Sequence, residues 1–577
     1  MLVLALPSRF PLRFLIALAL GVLHAASFID DRAWPIEIAA LAGLAALAAR
    51  AALEIEGVAG SRRAAFGGAR VGFGFGLGWF VTGVSWIYIS LHTYGEMNAL
   101  VAGGGTFLLA AYLSLFPALA CAAFAWYRHG HGHARAPGPL ASVAAFAALW
   151  GLSEIGRGFV FTGFPWLASG YAHVAGPLRG YAPLLGVYGV SLCAAAIAAV
   201  IALVAAGRSR SRATTARGPS IFMLALLFGL PVVGSALAQI EWSRPAGAPI
   251  SVRLLQGNVA QDVKFIEDRF DGIAEDYMKR VEATGGKKQA DLIVLPETAF
   301  PRFLSDLPEA LGQRLVRDAH DMNAAIAFGV PIAEGNERYF NSVVAIAPDS
   351  ADANADAKPE VNGGTQTDAA AATDANATAT ADPFAAVNAQ RYDKSHLVPF
   401  GEFIPLGFHW FVRMMKMPLG DFTRGAIDQQ PMRLAGLRIA FNVCYEDLFG
   451  EEIIRQAGDA NILVNVSNVA WFGDSMALPQ HLDISRMRAI ETARPMLRAT
   501  NTGMTASIDP HGRVLAKLAP FTAASLDVSV QGTTGLTPYT RFGNETVLVL
   551  IALLLLAALA ARRAGYRSSS LDTIDLR

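Results

Sequence analysis

The chain has 577 residues, of which 53% are hydrophobic and 16% charged, against about 25% charged in ordinary soluble domains. A mean hydropathy of +0.38 points the same way, toward a membrane protein with room for one large soluble domain. Lys+Arg and Asp+Glu balance at 47 each, which excludes a nucleic-acid binder working by general electrostatic attraction.

A bilayer-spanning helix needs about 20 apolar residues. Runs of that kind lie near 10–29, 36–54, 71–92, 99–126, 139–157, 185–206, 219–239 and 546–562, predicting about eight spans. Arg9 and Arg13 open the first without a convincing cleavage pattern behind it, so it reads as an uncleaved span. Arg50, Arg62, Arg63 and Arg70 surround the link between the second and third. Arg128 and Arg135 follow the fourth, Arg208, Arg210, Arg212 and Arg217 the sixth, and Arg562, Arg563 and Arg567 the last. Alternating spans put all these clusters on one side, the cytoplasmic one by the positive-inside rule. The expected division is therefore a bundle over 1–244, an extracytoplasmic domain over 245–540, and a last span with a cytoplasmic tail over 541–577.

Glu154 and Arg157 lie one helical turn apart at the outer end of the fifth span, where an interfacial ion pair is expected, with a substrate role also open. The His129, His131 and His133 run could bind metal, but it falls in a cytoplasmic loop far from the rest of the chemistry. Aromatics over 161–188 (Phe161, Phe164, Trp166, Tyr171, Tyr181) suit interfacial anchoring.

The outer segment reads as α/β. Strands are expected at Ser251–Leu255, Leu292–Leu295, Ala324–Phe328, Val343–Ala347, Leu437–Val443 and Ile462–Val466, with helices such as Ile266–Glu282 and His481–Ala493 between them. Residues 349–386, mostly Ala, Asp, Thr and Asn, can bury no core and read as a disordered insert. The apolar 403–422 stretch, with Trp410 and Phe411 at its centre, is either a buried helix or a lip that dips into the membrane interface.

Three cysteines are present. Cys121 and Cys193 fall in apolar spans, so Cys444 stands alone in the soluble part and needs a reason other than a disulfide. It comes directly after the strand ending at Val443 and precedes a helical segment expected near Asp447, a turn that would expose a nucleophile and whose helix dipole would favour the thiolate. Glu297 ends another strand in Leu292-Ile-Val-Leu-Pro-Glu-Thr298 and could act as general base if buried. Lys394, in Tyr392-Asp-Lys-Ser-His-Leu-Val-Pro-Phe-Gly-Glu402, offers a cation for a developing oxyanion. Each alone has a bland reading: a buried thiol, a solvated turn carboxylate, a surface lysine.

Taken together and in this order, the three windows resemble the nitrilase superfamily with its Glu-Lys-Cys triad. Leu255-Gln-Gly-Asn258, Met417-Pro-Leu-Gly-Asp-Phe422, Asn468-Val-Ala-Trp-Phe-Gly-Asp-Ser475, Arg498-Ala-Thr-Asn-Thr-Gly503 and Phe161-Thr-Gly-Phe-Pro-Trp166 are similar to the apolipoprotein N-acyltransferase family. The resemblance covers nearly the whole chain apart from the insert. It implies a multi-pass helical membrane bundle carrying a nitrilase-like α-β-β-α sandwich in the inner membrane of a bacterium, with the catalytic domain periplasmic. It also implies Glu297 as base, Lys394 as oxyanion cation and Cys444 as acylated nucleophile. Glu402 matches a second essential glutamate, Tyr445 and Glu446 match the residues after the cysteine, and Trp471 matches an aromatic on a mobile lid. Phe265 stands where the family often has Trp. The implied partners are a phospholipid acyl donor, a diacylglyceryl apolipoprotein acceptor and the bilayer, with no cofactor or metal; no nucleic acid and a monomer are expected. A membrane-tethered amidase using water as acceptor is the alternative, and a non-enzymatic transporter or receptor a second one.

Overall fold

The computed structural model describes residues 10–52, 60–129, 137–210, 221–283, 290–335, 337–348, 389–404 and 422–572. The insert, the centre of the 403–422 stretch, and His131 and His133 lie outside the described residues.

Each expected span holds a helix. Five are long and apolar enough to cross a membrane: Trp34–Ala51, Ala99–Arg128, Pro139–Thr162, Pro177–Ala206 and Glu545–Ala564. Gly60–Gly83 makes a sixth if joined to Ile87–Tyr94 across a 58° bend, while Pro11–Ala26 and Ile221–Leu237 are shorter apolar helices. Among the described residues five or six helices meet that test, so the expected count of eight is not confirmed. Close packing in the bundle rests on small residues. A Cβ on Gly68, Gly72 or Gly76 would lie within 2.7 Å of backbone atoms of the Ala99–Arg128 helix, so any larger residue would push the two helices apart.

The polar half is built on two six-stranded sheets. The first comprises β1 (Ile250–Gln256), β2 (Leu292–Val294), β3 (Ala325–Glu334), β4 (Arg338–Ile346), β5 (Ala389–Asp393) and β12 (Ala524–Val530), in the order β12-β1-β2-β3-β4-β5. The second comprises β6 (Met432–Leu434), β7 (Leu437–Val443), β8 (Ile462–Ser467), β9 (Met496–Thr500), β10 (Ala506–Ile508) and β11 (Val514–Lys517), in the order β11-β10-β9-β8-β7-β6. β1, β2 and β3 run parallel, as do β7, β8 and β9. Such strands are buried on both faces, which is why Ile-Leu-Val-Asn-Val-Ser over β8 is buried throughout. Leu254, Val294, Ala327 and Val343 from the first sheet meet Phe441, Val443, Val464 and Leu497 from the second in the central core.

Helices Phe270–Glu282 and Glu309–Asp321 cover the outer face of the first sheet, and Gly450–Ala457 and Ala477–Thr492 that of the second. The expected α-β-β-α sandwich is thus present. The Phe270–Glu282 helix starts four residues later than expected, because Ile266 is extended and Glu267–Arg269 forms a 3-10 turn. Ala477–Thr492 is buried on almost every side. Leu482 and Ala489 face the sheet, whereas Ile484, Met487 and Ile490 join the core of the membrane bundle. Gln480 Oε1 accepts from Trp166 Nε1 at 2.8 Å, Arg486 donates to Asp31 at 2.5 Å, and Glu491 accepts from Val187 N at 2.7 Å. This helix is therefore one of the places where the outer domain is seated on the bundle.

Candidate active site

β7 delivers Cys444. The strand ends at Val443, and Cys444 takes φ +53, a left-handed conformation that costs a non-glycine residue roughly 1–3 kcal/mol and turns its side chain out of the strand line. Hydrogen bonds on both sides hold it there. Val443 N donates to Glu446 Oε2 at 2.6 Å, and the Cys444 carbonyl accepts from Asn465 Nδ2 at 3.1 Å and His481 Nε2 at 3.2 Å. Arg498 donates to His481 Nδ1 at 3.1 Å, so the imidazole proton sits on Nε2, shared with Asp447 at 2.9 Å.

Glu297 lies just past β2 and is buried. Its Oε1 accepts from Asn341 Nδ2 at 2.8 Å and its Oε2 from Asn468 N at 2.7 Å. Asn341 also donates to Glu402 Oε1 at 2.8 Å, so one amide spaces the two carboxylates. Lys394, at the end of β5, sits 2.9 Å from Glu402 and 3.6 Å from Glu297. Burial pulls its ammonium down, but Glu402 and Glu297 outweigh that and hold its pKa above the ordinary lysine value. Burial, together with the charge of Glu297, pushes the Cys444 thiol well above its usual range, with Lys394 pulling the other way.

Burial and Glu297 thus favour the protonated Cys444, and the helix dipole expected to favour the thiolate is missing. Cys444 opens a five-residue 3-10 turn, Cys444–Leu448, and the α-helix begins only at Gly450, so no helix N-terminus reaches the sulfur.

Gly329 on β3 has a specific task here. A Cβ at that position would lie 2.4 Å from Thr298 N, 2.6 Å from Pro296 O and 2.7 Å from Glu297 Cα, all backbone or backbone-bound atoms that cannot swing aside. Gly329→Ala is expected to destabilise by about 2 kcal/mol and to slow acylation of Cys444 about tenfold by displacing Glu297. Thermal melting together with a rate of adduct formation checks it, and a wild-type rate would mean the Glu297 loop absorbs the strain.

The structure brings buried Glu297, Lys394 and Glu402 together with half-buried Cys444 into one cluster. Glu446 serves as the bolt behind it: Oε1 accepts from Ser395 N, Ser395 Oγ and His396 N at 2.6, 2.8 and 3.0 Å, and Oε2 accepts from Val443 N and Tyr392 OH. Tyr445 points to the bundle, donating its hydroxyl to Gly163 O at 3.0 Å with its ring 6.5 Å from Phe164. Trp471 lies in the Val469–Phe472 turn against the bent membrane helix, its carbonyl accepting from Ser90 Oγ at 2.7 Å and its ring 5.9 Å from Tyr94. Phe265 is half-buried at the end of the Gln261–Lys264 helix, and it is the preceding Lys264 that reaches the cluster, donating to Glu297 O at 3.1 Å.

Sequence reasoning misses Asn341, His481 and Lys264, and takes Asn468 only as part of a motif. Asn465 carries a faint signal, an amide within the apolar 462–466 run.

The expected Glu154–Arg157 ion pair does not form. Arg157 Nη1 donates instead to the carbonyls of Phe164 and Trp166 at 2.5 and 2.6 Å, and Glu154 Oε1 accepts from Ser169 N and Oγ at 2.9 and 2.7 Å. Both charges serve the loop that folds back beneath the active-site turn. Among the described residues no group of three or more His, Cys, Asp or Glu could hold a metal ion. His129 Nδ1 lies 3.1 Å from Ala52 O.

Cys121 and Cys193 are buried in the bundle. Cys121→Ala and Cys193→Ala are expected to keep most activity in an acyl-transfer assay, and substantial loss in either at normal expression would contradict Cys444 as the reactive thiol.

The fold and the cluster define a membrane-anchored enzyme of the carbon–nitrogen hydrolase class. The family model described as carbon-nitrogen hydrolase matches residues 246–539, and the one described as apolipoprotein N-acyltransferase N-terminal domain matches 20–200. Proteins named apolipoprotein N-acyltransferase are similar over most of this chain. That of Ralstonia nicotianae is 46% identical over 96% of this chain and 94% of its own, and that of Bordetella bronchiseptica 43% identical over 94% and 96%. A solved nitrilase-superfamily amidase from Nesterenkonia AN1 is 17% identical, covering 52% of this chain and 95% of its own with a TM-score of 0.34. The chain belongs to the apolipoprotein N-acyltransferase family.

Proposed function

We propose that this acyltransferase moves a fatty acyl group from a phospholipid to the N-terminal α-amine of a diacylglyceryl-cysteine lipoprotein, through a thioester on Cys444. The observation that carries the reading is the Tyr445–Gly163 hydrogen bond, which fastens the nucleophile's own turn to the membrane bundle, as a membrane-anchored donor and acceptor would require. The arginine clusters support a topology with residues 245–540 on the outer, periplasmic side of a bacterial inner membrane.

In the first half-reaction Cys444 Sγ attacks the ester carbonyl while Glu297 takes the thiol proton. Lys394 Nζ and the Tyr445 N–H hold the oxyanion, and losing one such donor typically costs about 3 kcal/mol. Collapse breaks the ester C–O bond, and the leaving alkoxide takes the proton from Glu297 and departs as lysophospholipid. In the second, the acceptor amine attacks the thioester and Glu297 takes its proton; the C–S bond then breaks and Glu297 returns that proton to the Cys444 sulfur. A raised thiol pKa suits this order, because the proton leaves only as the carbonyl is attacked. Glu402 neutralises Lys394 in the resting site and keeps it in place.

The test is intact mass of the full chain after incubation with phospholipid vesicles, and again after addition of a diacylglyceryl peptide. An acyl adduct on Cys444 that moves to the peptide as an amide is expected. Release only as free fatty acid would favour the amidase alternative, for which no observation of the fold or of the relatives speaks.

A further inference from the structure

The cluster contains a second lysine with no part in the acyl-transfer steps. Lys264 is 1% exposed, and its Nζ donates to the Glu297 carbonyl at 3.1 Å. Its short helix, Gln261–Lys264, is tied to the ends of β8 and β9. Gln261 Oε1 accepts from Asn468 Nδ2 at 2.9 Å, Val259 N donates to Asn501 Oδ1 at 2.9 Å, and Asn501 Nδ2 donates back to Val259 O at 2.7 Å. A lysine is among the costliest side chains to bury unpaired.

We infer that Lys264 is a positioning residue of the acyl transfer, a buried cation that fixes the Glu297 loop through its carbonyl and balances the charge facing Cys444. This rests on the proposed roles of Glu297 and Cys444. Two carboxylates, Glu297 and Glu402, face one ammonium, Lys394, and Lys394 lies nearer Glu402. Lys264 adds a second cation against these carboxylates, with Glu446 contributing further negative charge behind them. When Glu297 takes the thiol proton, the negative charge passes to the oxyanion and the total is unchanged. Without Lys264 the buried site would be more negative by one charge at every step, opposing both thiol ionisation and oxyanion formation.

The groups facing Lys264 are Glu297 on the loop after β2 and Cys444 after β7. Burial lowers its ammonium to about 8, with those two neighbours resisting the fall. The cation is therefore present below about pH 8 and is lost above it.

The test uses the full-length protein in detergent and needs no lipid: the rate of iodoacetamide labelling of Cys444, read by peptide mass across neutral and alkaline pH. Lys264→Met is expected to slow labelling about tenfold at neutral pH and to move the midpoint of its rise upward. Lys264→Arg, whose guanidinium does not titrate in this range, should restore the neutral rate and steepen the alkaline rise. A Lys264→Met protein with the wild-type rate and midpoint overturns the inference. So does an arginine variant that labels as slowly as the methionine variant while both melt like the wild type. If Lys264→Met does not fold, the arginine curve decides alone, and one superimposable on the wild type overturns it. Adduct formation from vesicles is measured in parallel. Its absence in the wild-type protein, alongside the expected labelling shifts, would count against the phospholipid reading and not against Lys264.

Discussion

Cys444→Ser is expected to lower acyl transfer by about 10⁴-fold or more while leaving the fold intact. The substitution is close to isosteric, and serine tolerates the φ of +53 as well as cysteine does. Neither hydrogen bond to the residue-444 carbonyl involves the side chain. The change falls on the nucleophile. Burial and Glu297 already push the thiol well above its ordinary pKa, and a hydroxyl in the same place would be harder still for a carboxylate to deprotonate. Any acyl group that did transfer would be held as an ester, which an amine attacks far more slowly than a thioester. The check is intact mass after incubation with vesicles, beside a thermal melt. A serine variant that accumulates adduct and passes it to the peptide at the wild-type rate would sink the covalent thioester mechanism.

The parts legible in the sequence were those whose cause is local. Glu297 and Cys444 each stand just past the carboxyl end of an apolar strand, and a strand buried on both faces announces itself as an unbroken Val/Ile/Leu run. The pairing of β7 with β8 and the sandwich it builds arise from such runs. Lys394 follows the polar, half-exposed strand Ala389–Asp393, and only its motif marks it. What brings the three residues together is not local. Asn341 spans Glu297 and Glu402, which lie 44 and 61 residues from it along the chain, and a single amide in a strand carries no mark of that task. Lys264 was hidden for a similar reason: on a four-residue helix it has the look of a surface lysine, and only the folded chain shows its stem buried. The turn after Cys444 was misjudged because Glu446 and Asp447 look like the acidic first turn of an α-helix. Instead both side chains are committed elsewhere, Glu446 to Ser395, His396, Tyr392 and Val443, and Asp447 to His481, Ser485 and Arg498. Hydropathy locates the long helices of the bundle among the described residues, yet it cannot show the 58° bend after Gly83 or the π-turn at Ala225–Gly229.

Glu446→Gln is expected to cost about 3 kcal/mol of stability and to slow acylation of Cys444 about 10³-fold. The carboxylate accepts from five donors and gives no proton to any. Three of them, Ser395 N, Ser395 Oγ and His396 N, meet Oε1, and two, Val443 N and Tyr392 OH, meet Oε2. Burial pushes its pKa up, and Lys394 together with the Val443, His396 and Ser395 donors pulls it back. Glutamine keeps the shape but turns one oxygen into a donor. Placed toward Ser395 and His396, the new NH₂ would oppose two backbone N–H groups. Placed toward Val443 it would oppose one, and the Tyr392 hydroxyl could rotate to accept from it. The second orientation is the cheaper, and what it loses is the bond that holds Val443 N immediately before the nucleophile. Freed there, the strained Cys444 turn relaxes, moving the sulfur away from Glu297 and, in the same motion, the Tyr445 N–H away from the oxyanion position. The loop carrying Lys394 stays bonded through Ser395 and His396, so the defect should fall on the nucleophile's side of the site alone. Melting temperature and the rate of adduct formation from phospholipid vesicles test this. Near-normal acylation in a destabilised protein would mean that the His481 and Asn465 bonds to the Cys444 carbonyl suffice to hold the turn without Glu446.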